Sequence, residues 1–156
     1  MKQFDWKGVM PAITTQFDKN GVLDLKAFRN NLSNQIIAGV HGIILGGTLG
    51  EASTLKDLEK KELLATTLDE VNGKIPVIMN IAEQATSKAV ELAKELEAEG
   101  ADGLMLLPPM RYKANDQETV SYFSSVASST SLPIMIYNNP VDFETSKVAG
   151  KKPNST

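Results

Sequence analysis

The stretch Val40-His41-Gly42-Ile43-Ile44-Leu45-Gly46-Gly47-Thr48-Leu49-Gly50-Glu51 decides how the rest of the chain is read. A run of β-favouring apolar residues with no polar alternation is the pattern of a strand buried on both faces of a parallel sheet. It stops in a turn of small residues that carries one hydroxyl and one carboxylate. Three glycines there let backbone N–H groups approach an anion with no Cβ in the way. The turn matches neither G-x-G-x-x-G nor G-x-x-x-x-G-K-[ST], and by itself it is equally well explained as a tight strand-to-helix connection. In that explanation Thr48 is a helix cap and Glu51 a first-turn carboxylate favoured by the helix dipole.

Working outward, four more apolar segments (8–13, 75–81, 103–107 and 133–137) join the one at 42–45. Helical patterns separate them. Residues 24–37 place Leu25, Phe28, Leu32, Ile36 and Ile37 on one stripe, and residues 86–98 open on a capping threonine before Ala89, Val90, Ala93 and Leu96. Residues 56–71 and 116–127 follow the same period. The order βαβαβαβαβ predicts parallel strands joined by helical crossovers.

A weak internal repeat refines this prediction. Gly39-Val40-His41-Gly42-Ile43-Ile44-Leu45 resembles Gly100-Ala101-Asp102-Gly103-Leu104-Met105-Leu106, 61 residues on, and Ile75-Pro76-Val77-Ile78-Met79-Asn80 resembles Leu132-Pro133-Ile134-Met135-Ile136-Tyr137, 57 residues on. Two kinds of βα unit therefore alternate, as the alternate-strand layering of a (β/α)8 TIM barrel favours. A doubly wound open sheet is the other architecture compatible with the order. Eight units need about 250 residues, whereas this chain of 156 stops just past its fifth strand. The expectation is an α/β, (β/α)8-type barrel truncated after about five strands, occupying residues 1–141, with 142–156 a polar, disordered tail.

Composition bounds the function. With 42% apolar and 22% charged residues the chain is an ordinary globular one, and its net charge of −3 provides no electrostatic footprint for nucleic acid or an anionic membrane. A small-molecule partner is expected. The absence of cysteine excludes disulfides and thiolate chemistry, and the single histidine, His41, leaves little for an imidazole metal site or a triad. Neither a metal nor a cofactor is expected, so acid–base chemistry falls to carboxyl, tyrosine, lysine and hydroxyl groups. Residues 1–5 lack a secretory pattern and no apolar run approaches a membrane span, which sets a cytoplasmic location as the expectation.

Functional groups of parallel α/β folds collect at the carboxyl ends of strands. Here those ends hold Thr14 and Thr15, residues 46–51, 80–83, 108–113, and Tyr137 with Asn138 and Asn139. Tyr137 places a phenol where it can relay a proton; the same position suits a core aromatic whose hydroxyl finds a backbone partner. His41 precedes its strand, at the end away from these groups, and is assigned a surface or capping role. The row Lys56, Asp57, Glu59, Lys60, Lys61, Glu62 reads as a solvated helix face.

Gly46-Gly47-Thr48-Leu49-Gly50-Glu51 and Tyr137-Asn138-Asn139-Pro140, on alternating βα units opened by Gly8-Val9-Met10-Pro11-Ala12, resemble the dihydrodipicolinate synthase and N-acetylneuraminate lyase family. The resemblance runs from about Lys7 to Val141, and two strand-end motifs about ninety residues apart are far more specific than either alone. It implies a (β/α)8 barrel, commonly a homotetramer, whose lysine forms a Schiff base with the carbonyl of pyruvate or another 2-oxo acid. It further implies that Gly47 and Thr48, with the Gly50 turn, bind the 2-oxo acid carboxylate, and that Tyr137 shuttles protons during imine formation and bond cleavage.

Departures from the family pattern are as informative. Leu49 stands where the second hydroxyl of a pair is usual, and Met110 and Arg111 stand where an aromatic pair often follows the prolines, leaving Tyr112 one place further on. Asp142 occupies the position of the arginine of synthases acting on aspartate semialdehyde, which argues for a different substrate. The family lysine lies on the sixth strand, and Lys147, Lys151 and Lys152 sit in a polar segment with nothing to desolvate an amine. The reading is therefore a 2-oxo-acid Schiff-base lyase whose nucleophile this chain lacks, inactive alone. Two alternatives stay open: a non-catalytic barrel fragment that associates with barrel subunits through its uncovered sheet, and a phosphate-binding α/β module.

Overall fold

The computed structural model describes residues 5–109 and 114–138. The expectations attached to Met110, Arg111, Tyr112, Asn139, Pro140, Asp142, Lys147, Lys151, Lys152 and the 142–156 tail lie outside the described residues.

Four helices and four strands alternate in the order α1 (Leu25–Ile37), β1 (Ile43–Leu45), α2 (Asp57–Val71), β2 (Val77–Ile81), α3 (Thr86–Ala98), β3 (Gly103–Leu106), α4 (Asp116–Ala127) and β4 (Ile134–Ile136). Local chemistry sets these bounds. Asp24 caps α1 by accepting the Ala27 N–H at 2.9 Å, and Gly39, at φ +81°, turns the chain out of it. Before α4, Asn115 and Glu118 form a reciprocal capping box with two 2.9 Å bonds. Helix α2 opens with the Glu59 carboxylate accepting the Lys56 N–H and ends on Asn72, a non-glycine residue in the left-handed region. At α3 the expectation is corrected: Ala85 holds the cap position, makes no side-chain bond, and Thr86 is already helical.

The strands pair in parallel in chain order, β1-β2-β3-β4. The fifth expected strand, 8–13, is reduced to a single bridge between Ala12 and Ile44. It still runs beside β1, since Val9 accepts the His41 N–H and Pro11 accepts the Ile44 N–H, while Ile13 donates to the Ile44 carbonyl. Pro11 has no N–H to give and Gly8 sits at φ +90°, so a regular ladder cannot propagate.

Alternation divides the strand residues between two apolar clusters. Ile43, Leu45, Val77, Met79, Ile81, Leu104 and Leu106 meet residues from all four helices, among them Phe28, Leu32, Leu63, Leu64, Ala93, Leu96, Tyr122 and Val126. Ile44, Ile78, Met105 and Leu107, with Met10, Ala12, Ala82 and Met135 against them, form a second cluster containing no helical residue. Helices confined to one face of a sheet whose strands never reverse order match a (β/α) barrel and exclude the doubly wound alternative. The charged row on α2 is only partly a solvated face, because Lys61 reaches across to Glu95 at 3.2 Å and Glu99 at 2.8 Å on α3. No helix among the described residues is long and apolar enough to cross a membrane.

Candidate active site

At the carboxyl ends of the strands a cleft of about 680 Å³ opens over the helix-free face of the sheet. Its floor is apolar, formed by Ala12, Ile44, Met105 and Met135, and its polar rim comes from Gly47, Thr48, Asn80 and Tyr137. Trp6, the only tryptophan of the chain, lines it from the N-terminal segment.

The loop after β1 builds one side of this cleft. Gly46 adopts φ +67°, the left-handed conformation that favours glycine, and reverses the chain as it leaves the strand. Gly47 then occupies the cap position of a short 3-10 turn, Thr48–Gly50. Its carbonyl accepts the Gly50 N–H at 2.9 Å, and the Thr48 carbonyl accepts that of Glu51 at 3.1 Å. The N–H groups of Thr48 and Leu49, at the start of the turn, donate to no carbonyl among the described residues, as helix starts require. A Cβ on Gly47 would stand 3.5 Å from that of Ala12 and 3.9 Å from the Met105 methyl, in ordinary contact with residues that line the cleft. Glycine there keeps that space open.

This geometry corrects the capping explanation of the loop. Thr48 is the first residue inside the turn rather than its cap. Glu51 lies at φ 54°, exposed, six residues ahead of α2, whose first-turn carboxylates are Asp57 and Glu59. Gly50, expected among the ligand-binding residues, lies behind the turn: it is buried, a Cβ on it would come 3.1 Å from the Ile13 carbonyl, and its own carbonyl accepts the Thr15 hydroxyl at 2.7 Å. Leu49 is 70% exposed and turns apolar surface to the cleft where the family pattern has a second hydroxyl.

Tyr137 forms the opposite wall. Its N–H donates to the Leu106 carbonyl at 3.0 Å, which extends the β3–β4 ladder by one residue and holds the ring at the strand end. It is 44% exposed, so it is not the core aromatic that its spacing also allowed. The buried tyrosine is Tyr122 instead, 3% exposed on α4, its hydroxyl with no hydrogen-bond partner among the described residues; burial and then the charge of Glu83 push the phenol far above its usual value and fix it in the neutral form. Gly47, Thr48 and Tyr137 thus line one cleft, although about ninety residues separate the two motifs.

Of two further cleft residues, Asn80 is among the strand-end groups of the sequence with no role assigned and Trp6 is not singled out there. Asn80, the inward polar residue near the end of β2, donates from Nδ2 to the Gly46 carbonyl at 2.7 Å; a lone polar residue in an apolar strand is the signal that marks it. Trp6 carries no such signal. His41 has the structural role expected of it, its Nδ1 accepting the Val9 N–H at 3.1 Å beneath the cleft. Among the described residues no group of three histidine or acidic side chains could hold a metal ion, and no lysine lines the cleft.

Residues 5–148 match the model of the dihydrodipicolinate synthetase family. A curated relative, the 4-hydroxy-tetrahydrodipicolinate synthase of Bartonella quintana, is 39% identical over 134 residues, 86% of this chain and 46% of the relative. Among solved structures, the chain is similar to a prophage protein of the dihydrodipicolinic acid synthase family from E. coli K12 in complex with pyruvate. That match has a TM-score of 0.84 at 30% identity and covers 90% of this chain and 47% of the other. It is also similar to CdNal from Clostridium difficile in complex with mannosamine, with a TM-score of 0.85 at 30% identity, covering 92% and 50% respectively. The chain spans about half the length of the curated relatives it matches.

Proposed function

The chain belongs to the dihydrodipicolinate synthetase family, and from that premise we propose that it carries the carboxylate-binding and proton-relay half of a Schiff-base lyase site for pyruvate or a related 2-oxo acid. The observation that supports this most is the convergence of Gly47, Thr48 and Tyr137 on one cleft from two distant motifs. The substrate carboxylate lies against the start of the 3-10 turn, where the Thr48 and Leu49 N–H groups donate to no carbonyl among the described residues and the Thr48 hydroxyl belongs to the same turn. That anchoring turns the neighbouring carbonyl toward Tyr137. A neutral phenol both donates and accepts, so Tyr137 can hand a proton to the carbonyl oxygen as an amine adds, recover one from the amine nitrogen, and pass it to the new hydroxyl, which leaves as water.

The amine itself comes from a lysine in the part of the family barrel that this chain does not match, since no lysine among the described residues lines the cleft. By this reading the 156-residue chain binds a 2-oxo acid and forms no covalent adduct. Leu49 favours a substrate with an apolar substituent over aspartate semialdehyde. A second reading, association with other barrel subunits, is favoured by β4, whose Ile136 is 45% exposed on the last strand of the sheet. A concentration-independent, monomeric sedimentation profile overturns it.

The test of the main reading is borohydride reduction in the presence of labelled pyruvate, with the full-length Bartonella quintana relative as the positive control. The expected result is label on the relative alone, together with pyruvate-dependent NMR shifts of the Thr48 and Leu49 amides of this chain. Label on Lys147, Lys151 or Lys152, or amide shifts confined to other regions, refutes it.

A further inference from the structure

We infer that Asn80 is a positioning residue of this site: its side chain latches the Gly46 carbonyl and thereby aims the Thr48 and Leu49 N–H groups at a bound 2-oxo acid carboxylate. The inference rests on the function proposed above and adds to it a residue that neither site motif contains.

Register and alternation place Asn80. Leu45 pairs with Met79, so the residue after each strand partner brings Gly46 beside Asn80. Val77, Met79 and Ile81 belong to the helix-side core and Ile78 to the helix-free cluster, which leaves Asn80 as the next residue facing the cleft. It is the one amide side chain in a lining otherwise made by apolar residues, glycines, a threonine and a tyrosine.

What it does there follows from its two polar atoms. Nδ2 donates to the Gly46 carbonyl at 2.7 Å, while Oδ1 is buried with no hydrogen-bond partner among the described residues. Reversing the amide would set Oδ1 against that carbonyl, acceptor to acceptor, so the orientation is fixed by the latch alone. A buried acceptor left without a donor lowers stability, which offsets what the bond to the buried Gly46 carbonyl adds. The benefit of Asn80 is at Gly46, the left-handed pivot of the loop, whose carbonyl would otherwise be free to rotate with the following peptide. Rotation about that pivot swings the whole 3-10 turn, and with it the two N–H groups that the carboxylate needs. A loop already held in its binding orientation loses less freedom on binding.

Binding should therefore fall while stability stays close to that of the native chain when Asn80 is changed, which a purely structural role does not allow. Pyruvate alone serves as the probe, read by Trp6 fluorescence and by the Thr48 and Leu49 amide signals of the full 156-residue chain. In Asn80→Ala, pyruvate affinity should fall about tenfold, the scale of one lost hydrogen bond, with a Tm within about 4 °C of that of the native chain, since the lost Gly46 bond is offset by removal of the unpaired Oδ1. Asn80→Asp keeps the shape and loses the donor; affinity should fall further at pH 7 and recover toward pH 4.5 as the acid regains a proton to donate to Gly46. Native-like pyruvate affinity in both variants overturns the inference while leaving the proposed function standing, as does a loss of Tm in Asn80→Ala that accounts for the weaker binding. Failure of the native chain to bind pyruvate overturns both.

Discussion

Replacing Thr15 by valine probes what holds the glycine loop in place. The Thr15 hydroxyl donates to the Gly50 carbonyl at 2.7 Å, and the residue is 7% exposed, so no solvent stands ready to take over the bond. Valine matches threonine in shape. The change therefore removes one donor and leaves the Gly50 carbonyl desolvated, which costs about 1–3 kcal/mol. For a domain of this size each kcal/mol lowers Tm by about 2–4 °C, an expected loss of about 2–12 °C. Thr14, one residue earlier, provides the control. It is exposed, its hydroxyl accepts from Gln16 Nε2 at 2.8 Å, and water can replace that partner, so Thr14→Val should stay within about 0.5 kcal/mol of the native chain. Thermal and urea melts followed by circular dichroism compare the two. Equal losses, or a larger loss for Thr14→Val, refute the claim that the loop is pinned from behind by the buried threonine.

Two further substitutions test other parts of the fold. Gly8→Ala should destabilise by at least about 2 kcal/mol, since the residue sits at φ +90° and a Cβ would overlap the His41 ring; urea titration measures it, and a neutral outcome refutes the packing of the N-terminal segment against β1. Glu97 accepts bonds from the Thr130 and Ser131 hydroxyls and the Ser131 N–H, and those bonds hold its carboxyl below the ordinary glutamate value. A carboxyl that is more acidic when folded adds stability above its unfolded value, about 4.3, and that contribution is lost as pH falls through the lower folded value. Native chain and Glu97→Gln should thus differ in Tm at pH 7 and converge below pH 4, whereas a gap that widens on acidification contradicts the assignment.

Element type was largely legible in the sequence because the helices carry both period and caps. Helix α4 spans 116–127 as its period predicts and α1 starts one residue after 24, the residue that caps it, while Thr86 and Thr48 misled as caps, since a threonine caps a helix only from the position before its first helical residue. The first apolar segment looked like the other four yet formed a single bridge. Hydrophobicity made it a strand, and Pro11 and Gly8 denied it the ladder. Nor could composition show that Gly50 faces backward, because the direction of a turn depends on the dihedral angles of Gly46 and Glu51 and not on residue size.

Why Tyr137 stayed ambiguous has a more general cause. A strand buried on both faces is apolar at every position, so the two-residue alternation that would reveal its orientation is erased from the sequence. The structure restores it through partners: Ile134 packs toward the helices, Met135 belongs to the helix-free cluster, and two residues beyond Met135 the same face presents Tyr137 to the cleft. On β2 the same step runs from Ile78 to Asn80, and on β1 from Ile44 to Gly46. Along each of these strands the inward side chain is apolar in the body of the sheet and changes character one step later, about 7 Å along the strand. That step is where a site can form, because lower down the apolar residues exclude water and the strand ends still fix the geometry. Register sets the relative height of these inward residues: Ile44 pairs with Ile78, Asn80 with Met105 and Met105 with Met135, so Gly46 and Asn80 stand level with Met135 and Tyr137 stands one step beyond them, an arrangement of strand pairing that no one segment contains.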